Sequence, residues 1–238
     1  MTSLGPFWLD PSDDTAPFPD VGLALREPDG LLAVGGNLSV PRLLNAYRSG
    51  IFPWYSQGQP ILWWSPDPRS ILIPDKLVVR RSMRKSLSKT AFKVTLDHAF
   101  GGVIRACARP RRDSNGTWIT NEIIQAYQQL YSMGYAHSAE TWYQGELVGG
   151  LYGIALGKVF FGESMFFTMT DASKAAFIAL TEQLIQWGFV LIDCQVRSKH
   201  LDSLGAEDMA REQFVQVLNQ YCQDTQTTGN WKRVLKNP

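Results

Sequence analysis

The chain has 238 residues, 45% of them hydrophobic, with 23 Lys and Arg against 22 Asp and Glu, a net charge of +1. That length supports one large domain, or one domain and a smaller companion, and the near balance of charge excludes general stickiness towards polyanions. Three scattered cysteines and three histidines, with no CxxC, argue against a disulfide framework, a zinc site or a histidine-rich metal centre, and point to a reducing cytoplasm.

In chain order, residues 1–68 are turn-rich and aromatic. Pro28-Asp29-Gly30 and Gly35-Gly36-Asn37 read as turns. A short helix follows, with Ser39 as N-cap, Pro41 in the first turn, Leu43, Leu44 and Tyr47 apolar, and Gly50 closing it. Pro66-Asp67-Pro68 marks the expected boundary between a small N-terminal domain, 1–68, and a larger one, 69–238. Ser70 to Ile73 read as a strand and 79–89 as a basic helix. A helix over 121–133 is capped by Thr120 and closed by Gly134. Three strands at hairpin spacing follow near 136–143, 146–154 and 158–163. A helix over 172–187 ends at Gly188, and the strand 189–196 comes last. Helix, antiparallel strands, helix, strand is an α/β (α+β) order of the acetyltransferase-like (GNAT-like) type. No apolar run is long enough to span a bilayer and no secretory leader opens the chain.

Charge is unevenly spread. Residues 76–112 hold eleven of the Lys and Arg residues and a single acid, Asp97. In the basic helix, Arg80 and Arg84 lie four apart, as do Arg81, Lys85 and Lys89, which gives two adjacent rows. A solvated helix face would also look like this, but the near absence of acid favours phosphate contact.

Two segments carry the chemistry. Gly162-Glu163-Ser164-Met165-Phe166 and Leu191-Ile192-Asp193-Cys194-Gln195 each close an apolar strand, and a helix lies between them. In α/β sheets, ligands gather at the carboxyl ends of strands. Polar residues there are costly to bury unless they bind something. On a regular strand Asp193 and Gln195 share a face, with Cys194 on the other. Spacing alone leaves two readings of this pair open: a carboxylate with an orienting amide, or a strand-end Asp bonded to backbone beside a surface Gln. Glu163 alone reads first as a turn residue with a solvated side chain and only second as a pocket carboxylate that recognises a cation, with Gly162 allowing a turn or a close approach. Cys194 reads as a small core residue. Leu151, Phe160, Met165, Phe177, Leu180 and Ile192 each suit a core, and as a set they suit an apolar cavity. Trp54 and Trp118, in Pro- and Gly-rich surroundings, suit base stacking about as well as local packing. No GxGxxG in a strand–helix context, no GxxxxGK[ST] and no GxSxG is present, so nucleotide-triphosphate and serine-hydrolase chemistry have no support.

Six strings resemble the leucyl/phenylalanyl-tRNA–protein transferases. They are Leu31-Leu32-Ala33-Val34-Gly35-Gly36-Asn37-Leu38, Gly50-Ile51-Phe52-Pro53-Trp54, Trp63-Trp64-Ser65-Pro66-Asp67-Pro68-Arg69, Gly116-Thr117-Trp118-Ile119-Thr120 and the two segments above. The resemblance runs from about residue 18 to 222. It implies a cytoplasmic, monomeric enzyme without cofactor or metal. Its partners would be aminoacyl-tRNA carrying Leu, Phe or, less readily, Met, and proteins with N-terminal Arg or Lys, which are thereby marked for N-end-rule degradation. It implies that Asp193 handles the proton, Gln195 orients the reacting groups and Glu163 stands at the aminoacyl pocket. Leu151, Phe160, Phe177, Leu180 and Ile192 would line that pocket. Trp54 and Trp118 would hold the terminal adenosine, while Arg80, Arg81, Arg84, Lys85 and Lys89 dock the tRNA backbone. Phe166-Phe167-Thr168-Met169-Thr170-Asp171 lacks the Gly-rich turn that cradles a CoA pyrophosphate, which disfavours acyl-CoA.

Overall fold

In the computed structural model, residues 5–110, 117–222 and 231–235 are described. Gly116, named above, and Arg111 and Arg112, counted in the basic stretch 76–112, lie outside them. A four-stranded sheet built by β1 (Phe7–Leu9), β2 (Leu31–Gly35), β3 (Phe52–Pro53) and β4 (Leu62–Trp64) has the order β1-β2-β4-β3. Between β2 and β3 runs α1 (Val40–Arg48), where the Ser39 hydroxyl accepts the Arg42 N–H as its cap. Gly50 has φ +75° and lies against Phe214, so a side chain there would be strained as well as crowded.

The larger sheet has eight strands. β5 (Arg69–Leu72) is followed by α2 (Arg81–Lys89), β6 (Lys93–Leu96), α3 (Phe100–Cys107) and α4 (Asn121–Ser132). Then come β7 (Ala136–Tyr143), β8 (Glu146–Leu156), β9 (Val159–Phe167), α5 (Ala172–Gln186) and β10 (Leu191–Gln195). The chain ends in α6 (Lys199–Asp202), β11 (Glu207–Met209), α7 (Arg211–Tyr221) and β12 (Arg233–Leu235). The strand order is β11-β5-β10-β9-β8-β7-β6-β12. Among the described residues, β9 and β10 are its only parallel pair. An antiparallel meander, a crossover helix and one parallel strand make the acetyltransferase-type α/β arrangement.

Two faces of this sheet pack differently. One cluster, with Tyr47, Trp63, Ile123, Tyr127, Tyr152, Phe161 and Phe214, runs without a break from the small sheet to the large one. On the other face α5 covers Leu72, Leu151, Phe160 and Ile192. Close approach is possible because a Cβ on Gly149 would stand only 2.6 Å from that of Ala172. The elements that went unread in the sequence are β1 to β4, β6 and α3, and α6, β11, α7 and β12 after the last strand read. The α3 helix carries Gly101 and Gly102 in its first turn and has no side-chain cap, so the usual start signals are missing.

Two local expectations are corrected. Gly162 makes no turn: β9 continues through it to Phe167. Strict alternation also fails, because a bulge interrupts β9 opposite Tyr152 and Gly153, and another interrupts β10 between Asp193 and Gln195.

Candidate active site

The two bulges build the site. In β9, Gly153 pairs with Gly162 and Tyr152 with Ser164, which leaves Glu163 as the extra residue. In β10, Asp193 pairs with Ile71 and Gln195 with Ser70, which leaves Cys194 as the extra residue. Bulges re-aim side chains and end regular pairing. Here β9 and β10 pair only as far as Phe161 and Asp193. Beyond that point the two strands part. Gln195, in the left-handed conformation at φ +61°, spans the gap, and its Nε2 donates to Glu163 Oε1 at 2.8 Å.

Glu163 is 8% exposed and fully bonded. Tyr47 Oη donates to Oε1 at 2.8 Å, and Tyr127 Oη donates to Oε2 at 3.0 Å. The two tyrosine oxygens also touch, and with one proton each they can satisfy all three contacts only when the Glu163 carboxyl supplies a third. Burial pushes the Glu163 carboxyl up to about 7, against the hydrogen bonds of the tyrosines, which pull it down. The tyrosine hydroxyls are pushed well above their usual range, by burial first and by the Glu163 charge second. They therefore stay protonated as donors near neutral pH.

Asp193 lies behind this pair and is 0% exposed. Arg69 donates to it twice, Nε to Oδ1 at 2.8 Å and Nη2 to Oδ2 at 2.7 Å. Asp193 Oδ1 also accepts the Gln195 backbone N–H at 2.8 Å. The remaining Arg69 nitrogen, Nη1, donates to the Gly50 carbonyl. Its guanidinium carbon lies 4.7 Å from the ring centres of both Phe52 and Phe214. Arg69 thus ties the small sheet, β10 and α7 to one charge. It was legible only as part of a string, and Tyr47 and Tyr127 only as apolar positions on helices.

An open cleft of about 150 Å³ sits where the strands part, lined by Phe52, Pro53, Trp54, Trp118, Glu163, Cys194, Gln195 and Val196. That volume is below the usual range for ligand pockets, roughly 300–1,000 Å³, and suits a small group rather than a whole large ligand. The structure therefore brings Glu163, Gln195, Trp54 and Trp118 together. Trp54 is 45% exposed, its ring 6.1 Å from that of Trp64. Cys194 shares the wall, and burial drives its thiol far up, so it is not poised as a nucleophile.

Asp193 does not border this cleft, and neither do Leu151, Phe160, Phe177, Leu180 and Ile192. These five are brought together as one buried cluster on the α5 side of the sheet, with Met165 and Cys194 packed at its edge. Arg80, Arg81, Arg84, Lys85 and Lys89 are all exposed, with Arg80 the N-cap of α2 rather than part of the helix. The helix is held by buried Leu87 and by Ser86 Oγ, which donates to the Asp171 carboxylate at the start of α5.

Among the described residues, no group of three or more His, Cys, Asp or Glu side chains is placed to hold a metal ion, and no helix is long and apolar enough to cross a membrane.

The splayed strand pair and the cleft at its mouth define the class, an acyl-transfer protein of the acetyltransferase type. Two family models match: leucyl/phenylalanyl-tRNA protein transferase over residues 71–219, and the N-terminal domain of the same family over 36–67. The chain belongs to the leucyl/phenylalanyl-tRNA–protein transferase family. A relative of that name from Nitrosospira multiformis is 56% identical over 224 residues, covering 94% of this chain and 95% of its own. Another from Stutzerimonas stutzeri is 53% identical over 225 residues, covering 94% and 98%. Among solved structures, that of L-PGS from Bacillus licheniformis overlays with a TM-score of 0.41 at 12% identity, over 72% of this chain and 57% of that one.

Proposed function

We propose that this protein moves Leu or Phe, and less readily Met, from aminoacyl-tRNA to the α-amine of proteins that begin with Arg or Lys, marking them for N-end-rule degradation. Membership of a family named for this transfer, with a match over 94% of the chain, is the observation that carries the reading. The division into a small domain, 1–68, and a catalytic domain, 69–238, belongs to the same reading. So does a cytoplasmic site of action.

The donor is an activated ester, so the reaction needs chiefly a neutral amine held against the carbonyl carbon. The C–N bond forms, the C–O bond to the ribose breaks, and one proton passes from the amine to the departing ribose oxygen. We assign Glu163 and Gln195 to face the reacting groups, because they are the polar side chains of the cleft. A carboxyl raised to about 7 can take a proton and return it near neutral pH. Asp193, sealed behind the wall, acts by fixing Gln195 and by balancing Arg69. Negative charge at the mouth also favours a cationic acceptor residue.

Trp54 and Trp118 flank the cleft and supply faces for the terminal adenosine. The donor side chain is placed against Cys194 and Val196, with the cluster of Leu151, Phe160, Phe177, Leu180 and Ile192 behind Cys194. Acyl-CoA is disfavoured as donor by the Asp171 carboxylate at the start of α5, where a pyrophosphate would need backbone N–H groups and no negative charge.

The direct test is single-turnover transfer of labelled Leu from Leu-tRNA to a peptide beginning with Arg, with a peptide beginning with Gly as control. Transfer to the Arg peptide alone is expected. Equal transfer to both would remove the acceptor rule, and none to either would remove the activity.

Two variants test how the tRNA is held. Base stacking is worth about 1–3 kcal/mol per base, so Trp54→Ala should raise the Kd for aminoacyl-tRNA by roughly ten- to a hundredfold. Its thermal midpoint should barely move, because the ring is half exposed. Replacing Arg84 and Lys85 by Ala should lower the slope of log Kd against log salt by about one unit for each phosphate that these cations neutralise. An unchanged slope would make α2 a solvated face and nothing more.

A further inference from the structure

A second cavity lies at the other end of the parallel strand pair. It measures about 260 Å³ and is lined by Lys158, Trp187, Phe189, Trp231 and Arg233. Lys158 immediately precedes β9, and Phe189 lies just before β10, whereas Glu163 and Gln195 stand towards or at their carboxyl ends. About 16 Å of strand separates Lys158 from Glu163 at 3.3 Å per residue.

The walls are aromatic. Trp231 is 1% exposed. Its ring stacks on His137 at 3.7 Å, with Trp187 4.8 Å away and tilted, and Phe189 edge-on at 6.0 Å. The rim is cationic. Lys158 is exposed; among the described residues its Nζ bonds the Trp187 carbonyl and lies 5.9 Å from the centre of the Phe189 ring, and the Arg233 guanidinium carbon lies 4.6 Å from the centre of the Trp187 ring. No ion pair with a carboxylate is formed by Lys158 or Arg233 among the described residues. The Trp231 Nε1–H is buried without a hydrogen-bond partner. Such a donor costs about 1–3 kcal/mol when left unpaired.

Each feature asks for something different from a ligand. Aromatic walls favour a flat body. Two unpaired cations favour an anion and count against an ammonium ligand, which such a cage would otherwise hold. An orphaned indole N–H asks for an acceptor atom. The volume is near the lower end for a ligand pocket, so it suits one base with its phosphate rather than a dinucleotide.

We propose that Lys158, Trp187, Phe189, Trp231 and Arg233 form a second ligand site for a nucleoside phosphate, either free or as one residue of single-stranded RNA. The site is separate from the catalytic cleft and does not rest on the transfer activity.

Calorimetric titration of the full chain tests this. AMP would also be drawn to Trp54 in the cleft, so Trp54→Ala serves as the starting protein. AMP should bind it with one-to-one stoichiometry, and adding Lys158→Ala and Arg233→Ala should weaken binding at least tenfold. Both side chains are exposed at their charged ends, so the fold should survive, as circular dichroism can verify. Adenosine and inorganic phosphate should each bind at least tenfold more weakly than AMP. A tetranucleotide of single-stranded RNA that binds tighter than AMP identifies RNA as the source, and equal binding identifies a free nucleotide. No AMP binding, or binding indifferent to the Lys158 and Arg233 changes, would overturn the site. Adenosine binding as tightly as AMP would do the same.

Discussion

Replacing Arg69 with methionine is expected to cost about 3–5 kcal/mol of stability, the usual penalty for leaving one member of a buried ion pair alone. For a chain of this size that is a fall in Tm of roughly 6–20 °C. The reason is specific to this position. Asp193 has no access to water, and among the described residues its bidentate partner is the only cation bonded to it. Methionine fills the space between Phe52 and Phe214 but leaves the carboxylate stranded. Activity should fall with it, because Asp193 also holds the Gln195 N–H.

The double variant Arg69→Met/Asp193→Leu separates the two effects. A buried ion pair exchanged for apolar residues is often neutral in stability, so most of the lost Tm should return. Transfer should not, since nothing then fixes Gln195 against Glu163. The measurement is thermal unfolding beside single-turnover transfer for the wild type, both single variants and the double variant. Recovery of transfer together with stability would show that the pair merely fills the core.

Glu163→Gln should lower the single-turnover rate about a hundred- to a thousandfold, within the range of a lost general acid–base group. The fold should be kept, since Gln has the same shape: its Oε1 can still accept from Tyr47, and its Nε2 can donate to the Tyr127 hydroxyl, which turns its own proton to the adjacent Tyr47 oxygen. The pH profile sharpens the test. With the carboxyl near 7, the wild-type rate should climb through that pH as the carboxylate forms. A second limb follows deprotonation of the acceptor α-amine, near 8. The variant should lose the first limb and keep the second.

Stability moves in the opposite direction with pH. Glu163 has a folded carboxyl at about 7, above its ordinary 4.5. Between those values the folded protein holds a proton that the unfolded chain has released. The stability linked to this group is therefore complete below pH 4.5 and is lost as pH rises through 7, about 3 kcal/mol in all. Urea unfolding at pH 5 and pH 8 should show that difference shrinking in Glu163→Gln. Identical pH slopes in the two proteins would place the ionisation elsewhere.

What the sequence determined by itself was local. Ser39, Thr120, Gly134 and Gly188 mark helix ends by capping and by positive φ, and both signals act within one turn. The hairpins of β7, β8 and β9 followed from three strand-length runs at hairpin spacing, with Gln144-Gly145 and Leu156-Gly157 as the turns between them. The two acid-bearing segments stood out because polar residues ended apolar strands. A resemblance over several ordered strings supplied the activity.

Tertiary structure decided the rest. A bulge depends on the register of the partner strand, so nothing within β9 alone says that Glu163 is the extra residue. Tyr47 and Tyr127 reach Glu163 from 116 and 36 residues away, and on their own helices they are ordinary apolar positions. Arg69 and Asp193 are 124 residues apart, and only burial in a shared apolar interior obliges such charges to pair. The same packing gathers five residues, read as a cavity lining, into one buried cluster on the α5 side of the sheet. Apolar character states that a side chain leaves water. Only the facing elements determine whether it meets a ligand or another side chain.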